Sequence, residues 1–308
     1  MKLVRSPARA GLADSGCALT IGNFDAVHLG HRQILSGLRR HADRLGVPAM
    51  VMTFDPHPEE YFRKGDSAPR LTDLTTRYFA LRECGVDIML SLRFDRRLAS
   101  TDAPTFVREI LHRQLAVRYL LIGDDFRFGR DRQGDFAMLA DMAGESGFEL
   151  ERTDTLECNG ERVSSTRIRK LLADGQVDLA ADLLGRSYAL TGRVIRGQQL
   201  GRQWGFPTLN LAVHHKPALR GVFAVRVDGL GSESIPGVAN LGTRPTVGGI
   251  RTLLEVHLFD FEQQVYGERI CVSFVERIRP EHKFDSFDAL KSQIRQDCDQ
   301  ARRILGLD

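Results

Sequence analysis

Ala18-Leu19-Thr20-Ile21-Gly22-Asn23-Phe24-Asp25-Ala26-Val27-His28-Leu29-Gly30-His31 carries a short apolar strand straight into a loop bearing two histidines. The next apolar residues, Ile34, Leu35, Leu38, Ala42 and Leu45, recur at helical spacing. A strand that passes through glycine into a helix leaves unpaired helix N–H groups, and the positive end of the helix dipole, beside the strand's end, which suits an anion. Gly30 would admit a phosphate close to the backbone, and His28 and His31 can each donate to its oxygens. A pair of histidines that merely caps a helix is the plainer alternative, since His-x-x-His alone is common.

Outward from this stretch the two hydrophobic periods keep alternating. Val47–Phe54 reads as a strand, Leu74, Tyr78 and Leu81 mark a helix, and Val86–Leu92 is the next strand. A helix with Pro104 near its first turn follows, then a strand at Tyr119–Gly123, a helix over Asp135–Gly147 and a last strand at Phe148–Arg152. Two short helices, Thr166–Ala173 and Val177–Leu184, close the region. Strand–helix alternation at this spacing predicts crossover units and a mainly parallel, Rossmann-like α/β sheet. From Leu190 glycine becomes dense and the apolar runs short and β-branched, as in Val222–Val227, Leu253–Leu258 and Ile270–Val275. That texture predicts a small antiparallel β-barrel, closed by a helix striped with Phe287, Leu290, Ile294, Cys298, Ala301 and Leu305. The expected fold class is thus α/β followed by β, in domains 1–185 and 186–308, with the boundary near 183–190.

The 308 residues, 42% hydrophobic and 27% charged, suffice for two folded domains with sizeable cores. No stretch approaches the roughly 18 apolar residues of a membrane span, and the first residues lack the build of a secretory signal. The five cysteines are scattered without a Cys-x-x-Cys pair, which argues against a zinc ribbon or dithiol site and for reduced thiols in the cytoplasm. Residues 1–185 hold 26 basic against 27 acidic side chains and residues 186–308 hold 17 against 13, so neither part is basic enough to suggest nucleic acid.

A second element strengthens the anion reading. Ser164-Ser165-Thr166-Arg167-Ile168-Arg169-Lys170 opens a helix with hydroxyls and then bases; one hydroxyl suffices for a cap, while the bases could meet a polyphosphate tail. In the second half, Gly197, Gly201 and Gly205 could let backbone amides wrap a polyphosphate, although a glycine-rich barrel hairpin explains them equally, and no Walker A loop is present. Pro207-Thr208-Leu209-Asn210 then offers a hydroxyl and an amide on one side of an extended segment, hard oxygens of the kind magnesium accepts. Glu255 stands in Leu253–Leu258, sharing a face with Leu253 and His257; it is either a solvent-facing residue or a positioned base.

These stretches, with Thr53–Pro58, Ile122–Gly129, Gly237–Thr246, Leu254–His257 and Arg279–Phe284, resemble the nucleotidyltransferase superfamily. More closely, and over essentially the whole chain, they resemble prokaryotic bifunctional riboflavin kinase/FAD synthetases. The resemblance implies phosphorylation of riboflavin to FMN and adenylyl transfer from ATP to FMN, giving FAD and pyrophosphate, with Mg2+ accompanying ATP and flavins as substrate and product. It implies His28 and His31 as catalytic groups of adenylyl transfer, with Gly22, Asn23, Phe24, Asp25, Gly30, Asp125, Ser164, Ser165, Thr166, Arg167 and Arg169 about that nucleotide. It implies Gly197, Gly201, Arg202, Gly205, Thr208 and Asn210 about the kinase nucleotide, Thr208 and Asn210 serving the metal, Glu255 as the kinase base, and Phe62 and Phe128 against the flavin. Neither a nucleic acid nor a membrane partner is expected, and the oligomeric state stays open. One departure stands out: the family has glycine where this chain has Ala26. If that position needs positive φ, alanine costs about 1 kcal/mol; if the glycine gives a ligand room, the methyl weakens nucleotide binding. The alternatives are a riboflavin kinase whose N-terminal domain is impaired or regulatory, and an RNA-associated protein.

Overall fold

The computed structural model describes residues 1–12, 15–63, 67–196, 205–213, 215–246 and 249–308. Its β2 (Cys17–Ile21) is buried along its whole length, as a strand covered on both faces of a parallel sheet must be. With β1 (Lys2–Val4), β3 (Ala49–Asp55), β4 (Ile88–Arg93), β5 (Val117–Gly123) and β6 (Glu149–Thr153) it forms a six-stranded sheet in the order β1-β4-β3-β2-β5-β6. Every neighbouring pair is parallel. The chain winds from β2 through β3 and β4 to one side and then returns to place β5 on the other. The carboxyl ends of β2 and β5 therefore flank a topological switch point, where open α/β sheets bind ligands.

Local chemistry sets the helices. The helix Leu29–Leu45 starts on His28 and ends at Gly46, whose φ of 65° terminates it in the left-handed region, and it buries Leu35, Leu38 and Ala42. Asp135 caps the helix Phe136–Ser146 by accepting from the Met138 N–H, and Gly147 stops it. The segment with Pro104 begins under Asp102, which accepts from the Thr105 N–H at 2.7 Å, and continues as a π-helix over Phe106–Gln114. β1 was not expected; it is an edge strand of three residues, too short to show a hydrophobic period.

Compact packing divides the chain into two units, one of residues 1–68 and 77–163, the other of residues 69–76 and 164–308. In the second unit β9 (Ala189–Ile195), β10 (Leu209–Val213), β11 (Gly221–Asp228), β12 (Ile235–Thr246), β13 (Gly249–Leu258) and β14 (Arg269–Arg279) close a barrel in the order β10-β13-β12-β11-β14-β9, with all neighbours antiparallel. The segment 69–76 runs over this unit as a strap: the Arg169 Nε donates to the Pro69 carbonyl at 2.6 Å and the Tyr188 hydroxyl to the Leu71 carbonyl at 3.1 Å. Leu71 and Thr72 are buried there.

The closing helix Phe287–Leu305 lays Cys298, Ala301 and Leu305 against Val222, Ala224, Val238 and Phe259, while Phe287, at the head of the expected stripe, is exposed. Asp297 on this helix is buried and accepts from Arg279 Nε at 2.9 Å, from an Arg279 terminal nitrogen at 2.8 Å, and from Gln293 at 3.0 Å. Arg279, the first residue of the Arg-Pro-Glu-x-Lys-Phe stretch, thereby anchors the helix to β14. Asp297→Ala leaves that guanidinium without its carboxylate and is expected to cost about 3 kcal/mol. Urea denaturation should show a lower midpoint at an unchanged slope.

Candidate functional site

The turn after β2 begins where the Gly22 N–H donates to the Met52 carbonyl on β3 at 3.0 Å. It then passes through left-handed backbone at Phe24 (φ 48°), Ala26 (φ 74°) and Val27 (φ 45°) before the helix starts. Positive φ at three residues with side chains is strained, and such strain persists only where the surroundings enforce it. Phe24, Asp25, Ala26 and Val27 are all buried. The φ of Ala26 meets the condition of the first consequence: the position is one where glycine relieves the backbone.

His28 caps the helix, its Nδ1 accepting from the His31 N–H at 3.3 Å. An accepting Nδ1 puts the proton of the neutral ring on Nε2, so capping and donation to an anion use opposite edges of one imidazole. The His28 and His31 rings stack with centroids 3.7 Å apart and planes 14° from parallel, and Phe24 lies tilted on His31 at 4.8 Å. Gly30 makes room for this stack: a Cβ there would sit 3.3 Å from His28 Cε1 and Nδ1. Burial, and after it the nearby His28 and Arg77, holds His31 well below the usual imidazole range.

Beneath the loop, Thr53 is fully buried; its hydroxyl accepts from an Arg77 terminal nitrogen at 3.2 Å and donates to the Asn23 carbonyl at 3.5 Å. His57 follows two residues beyond the end of β3, within reach of the charges of Asp25 and Arg77. Its N–H donates to Glu60 at 3.0 Å, its Nδ1 accepts from the Glu59 N–H at 3.3 Å, and burial lowers its pKa against the opposing pull of Glu60 and Asp25. Asp25, His28, His31, Thr53, His57 and Arg77 thus meet at the carboxyl end of β2 and β3.

Other expected residues are placed as follows. Ser164 caps the helix Ser165–Ala173 by accepting from the Arg167 N–H at 3.2 Å, and along that helix Thr166 is exposed while Ser165, Arg167 and Arg169 are half-buried. Asp125, in the loop after β5, is exposed and pairs with Arg162 at 3.0 Å. Phe62 is 65% exposed, edge-on to Tyr61 and Phe94. Phe128 differs: only 7% exposed, it stacks on Phe126 at 5.6 Å and packs into the core of the first unit beside Phe106.

On the barrel, Glu255 of β13 lies directly opposite Asn210 of β10 on one side and Asn240 of β12 on the other. Asn210 is buried and its amide nitrogen donates to the Thr208 carbonyl at 3.5 Å. His257, two residues beyond Glu255, donates from Nδ1 to the Pro207 carbonyl at 2.9 Å, which ties the Pro-Thr-x-Asn segment to β13. Burial lowers the pKa of His257. A carboxylate between two amides is an arrangement that can orient and deprotonate an alcohol. Gly205 is exposed with φ 86°; Gly197, Gly201 and Arg202 lie outside the described residues.

Arg77 and Asn240 were not anticipated. Arg77 does carry a signal: it falls between Leu74 and Leu81 at helical spacing, on the face that buries Ala80 and Leu81, where an isolated base is unusual. Asn240 becomes visible only through the register of β12 against β13.

Residues 12–167 match the FAD synthetase family and residues 184–305 the riboflavin kinase family. The bifunctional riboflavin kinase/FMN adenylyltransferase of Escherichia coli (strain K12) is 47% identical over 309 residues, covering 100% of this chain and 99% of that protein. The Haemophilus influenzae protein of the same name is 45% identical over 303 residues, covering 98% of each. Among solved structures, a protein described as a macrolide-efflux protein from Streptococcus pneumoniae superimposes with a TM-score of 0.80 at 27% identity, over 98% of this chain and 99% of that one. Among the described residues no helix is long and apolar enough to cross a membrane.

Two outcomes follow from the loop and its histidines. Ala26→Gly should raise stability by about 1 kcal/mol, read as a higher urea midpoint at constant slope. His31, His57 and His257 all have folded-state pKa values below the free imidazole. The unfolded chain therefore binds more protons once the pH falls through about 6.5, so stability is present above that pH and declines below it. Urea midpoints measured at pH 7.5 and 5.5 should differ in that direction.

Proposed function

The chain belongs to the bifunctional riboflavin kinase/FMN adenylyltransferase family, and we propose that its two reactions are divided between the histidine-lined turn after β2 and the Asn210–Glu255 face of the barrel. It is a transferase that phosphorylates riboflavin to FMN and adenylylates FMN to FAD. The single observation that carries the division is that each site stands on a separate part of the chain with its own family match. On this reading residues 1–185 form the adenylyltransferase and residues 186–308 the kinase.

In adenylyl transfer the attacking group, the phosphate of FMN, is already an anion at neutral pH. An oxygen of that phosphate attacks the α-phosphorus of ATP, the α–β bridge bond breaks, and pyrophosphate leaves with the electron pair. No base is needed; the site must bring anions together and stabilise charge on the α-phosphate and the leaving group. His28 donates from Nε2 and His31 from its ring to the reacting phosphate, and the free N–H groups at the start of the helix Leu29–Leu45 receive its charge. Gly22, Asn23, Phe24, Asp25 and Gly30 shape the nucleotide pocket, with Asp125 at its β5 edge. The motif from Ser164 to Thr166, with Arg167 and Arg169, meets the polyphosphate. Phe62 offers an exposed ring for the isoalloxazine; Phe128 supports that wall from the core.

Riboflavin's hydroxyl is a poor nucleophile, so phosphoryl transfer calls for a base. Glu255 accepts the 5′-hydroxyl proton as the oxygen attacks the γ-phosphorus and ADP departs. The reading also assigns Gly197, Gly201, Arg202 and Gly205 to the kinase nucleotide. Thr208 and Asn210 fit magnesium by their chemistry: hard, neutral oxygens suited to an ion that keeps waters and phosphate oxygens, with the Asn210 Oδ1 left over once its nitrogen bonds the Thr208 carbonyl. Magnesium, when bound with ATP, supplies charge neutralisation at the transferring phosphate. The five free cysteines fit a reducing cytoplasm, and no nucleic-acid or membrane partner is part of this reading.

Chromatography of products from riboflavin, ATP and magnesium should show FMN and FAD. With Glu255→Ala, FMN formation should fall by about two to four orders of magnitude while FAD formation from supplied FMN persists. With His28→Ala, the products should stop at FMN, adenylyl transfer falling roughly a hundredfold or more. Equal loss of both activities in either variant would refute the division.

A further inference from the structure

Arg77 is a full guanidinium only 4% exposed, set among the apolar residues of the helix Leu74–Glu83. An arginine is almost never buried this deeply without a task for its charge and its donors. One terminal nitrogen donates to Thr53 Oγ1 at 3.2 Å, and the same hydroxyl donates to the Asn23 carbonyl at 3.5 Å. Asn23 is the residue immediately before the left-handed run of Phe24, Ala26 and Val27, and that run delivers His28 and His31. A relay thus leads from a buried cation through a buried hydroxyl to the base of the strained turn.

We infer that Arg77 is a positioning residue for adenylyl transfer: through Thr53 it locks the Asn23 end of the turn and so fixes where His28 and His31 meet the reacting phosphate. The inference rests on the assignment of adenylyl transfer to that histidine pair. The relay explains how strain at three residues is maintained, since a turn without this anchor could relax toward ordinary φ by moving Asn23. A hydroxyl suits the middle position because it can accept from the arginine and donate to the carbonyl at once.

The same cation has an electrostatic role. Among the described residues, His28 and Arg77 act on His31, and Asp25, Glu59, Glu60 and Arg77 act on His57. Burial first, then His28 and then Arg77 disfavour a proton on His31, so the guanidinium adds to what keeps a second proton off the stacked imidazole pair. Two stacked imidazolium rings 3.7 Å apart would repel and open the stack.

The test uses the full-length chain with Arg77→Met, Arg77→Lys, Thr53→Val and the Met/Val double variant, assaying FAD formation from FMN and, in the same preparations, FMN formation from riboflavin. Arg77→Met should lower adenylyl transfer at least tenfold in kcat while riboflavin phosphorylation stays within twofold, and Arg77→Lys should restore part of the loss. Because Arg77 and Thr53 act through one relay, the double variant should lose no more than the worse single variant. Independent of activity, the His31 imidazole followed by 15N NMR should titrate at higher pH in Arg77→Met than in the parent, and Arg77→Lys should keep it low. Unchanged adenylyl transfer in Arg77→Met, losses that multiply in the double variant, or an unmoved His31 titration would each overturn the inference. His28→Ala is the control for the underlying assignment. If it loses adenylyl transfer while Arg77→Met does not, only the positioning role falls; if it keeps the activity, the assignment falls and takes the positioning role with it.

Discussion

The backbone between β2 and the helix Leu29–Leu45 reverses through left-handed conformations at Phe24, Ala26 and Val27, and the stacked pair His28–His31 is presented only while that reversal is held. For residues with side chains each such conformation costs roughly 1 kcal/mol or more, so the turn disfavours folding by several kcal/mol. What offsets it is burial on both sides. Leu19 and Ile21 on the strand and Leu35 and Leu38 on the helix are buried, and each is worth about 1.5–3 kcal/mol. The packed layers thus outweigh the turn and hold the shape that stacks two imidazoles at the start of the helix.

That arrangement also separates two tasks that compete in a simpler site. A histidine that caps a helix and one that meets an anion are usually alternatives, yet His28 has two nitrogens and uses Nδ1 for the helix. Fixing one edge of the ring by a backbone bond orients the other, so the cap itself is the positioning device. The barrel solves its version of the problem differently, with Glu255 set by strand register between Asn210 and Asn240 and the Pro207 carbonyl held by His257. On the proposed assignment the two reactions call for these differences: one begins from an anion and needs only charge stabilisation, the other begins from an alcohol and needs a base.

Much of this was legible from residue order. Ala18–Ile21, the stripe Leu35–Leu38–Ala42 and the capping residues Asp135 and Gly147 announce their elements through period and terminal chemistry, which are local. The two-part fold followed from the change of texture after Leu190. Three things were not local and could not be read. Lys2–Val4 joins the sheet only because β4 offers it an edge. Phe128, equally at home in a core or against a flat ligand, is buried by contacts with Phe106 and Phe126. Arg77 stands out as a base on an apolar helix face, but its partner Thr53 lies 24 positions earlier and no local pattern joins the two.

The strap at 69–76 has a consequence for how such a chain can be inherited. The first unit is interrupted, leaving at Ala68 and resuming at Arg77, and its missing piece is packed under Tyr188 and beside Arg169. Exchanging residues 186–308 between relatives would therefore change the Tyr188 side of the match while leaving Leu71 as it was. A chimaera joined at a single point would carry Leu71 into a foreign socket. Selection must act on the loop and its socket as a pair, which binds two separately matched enzymes into one heritable block.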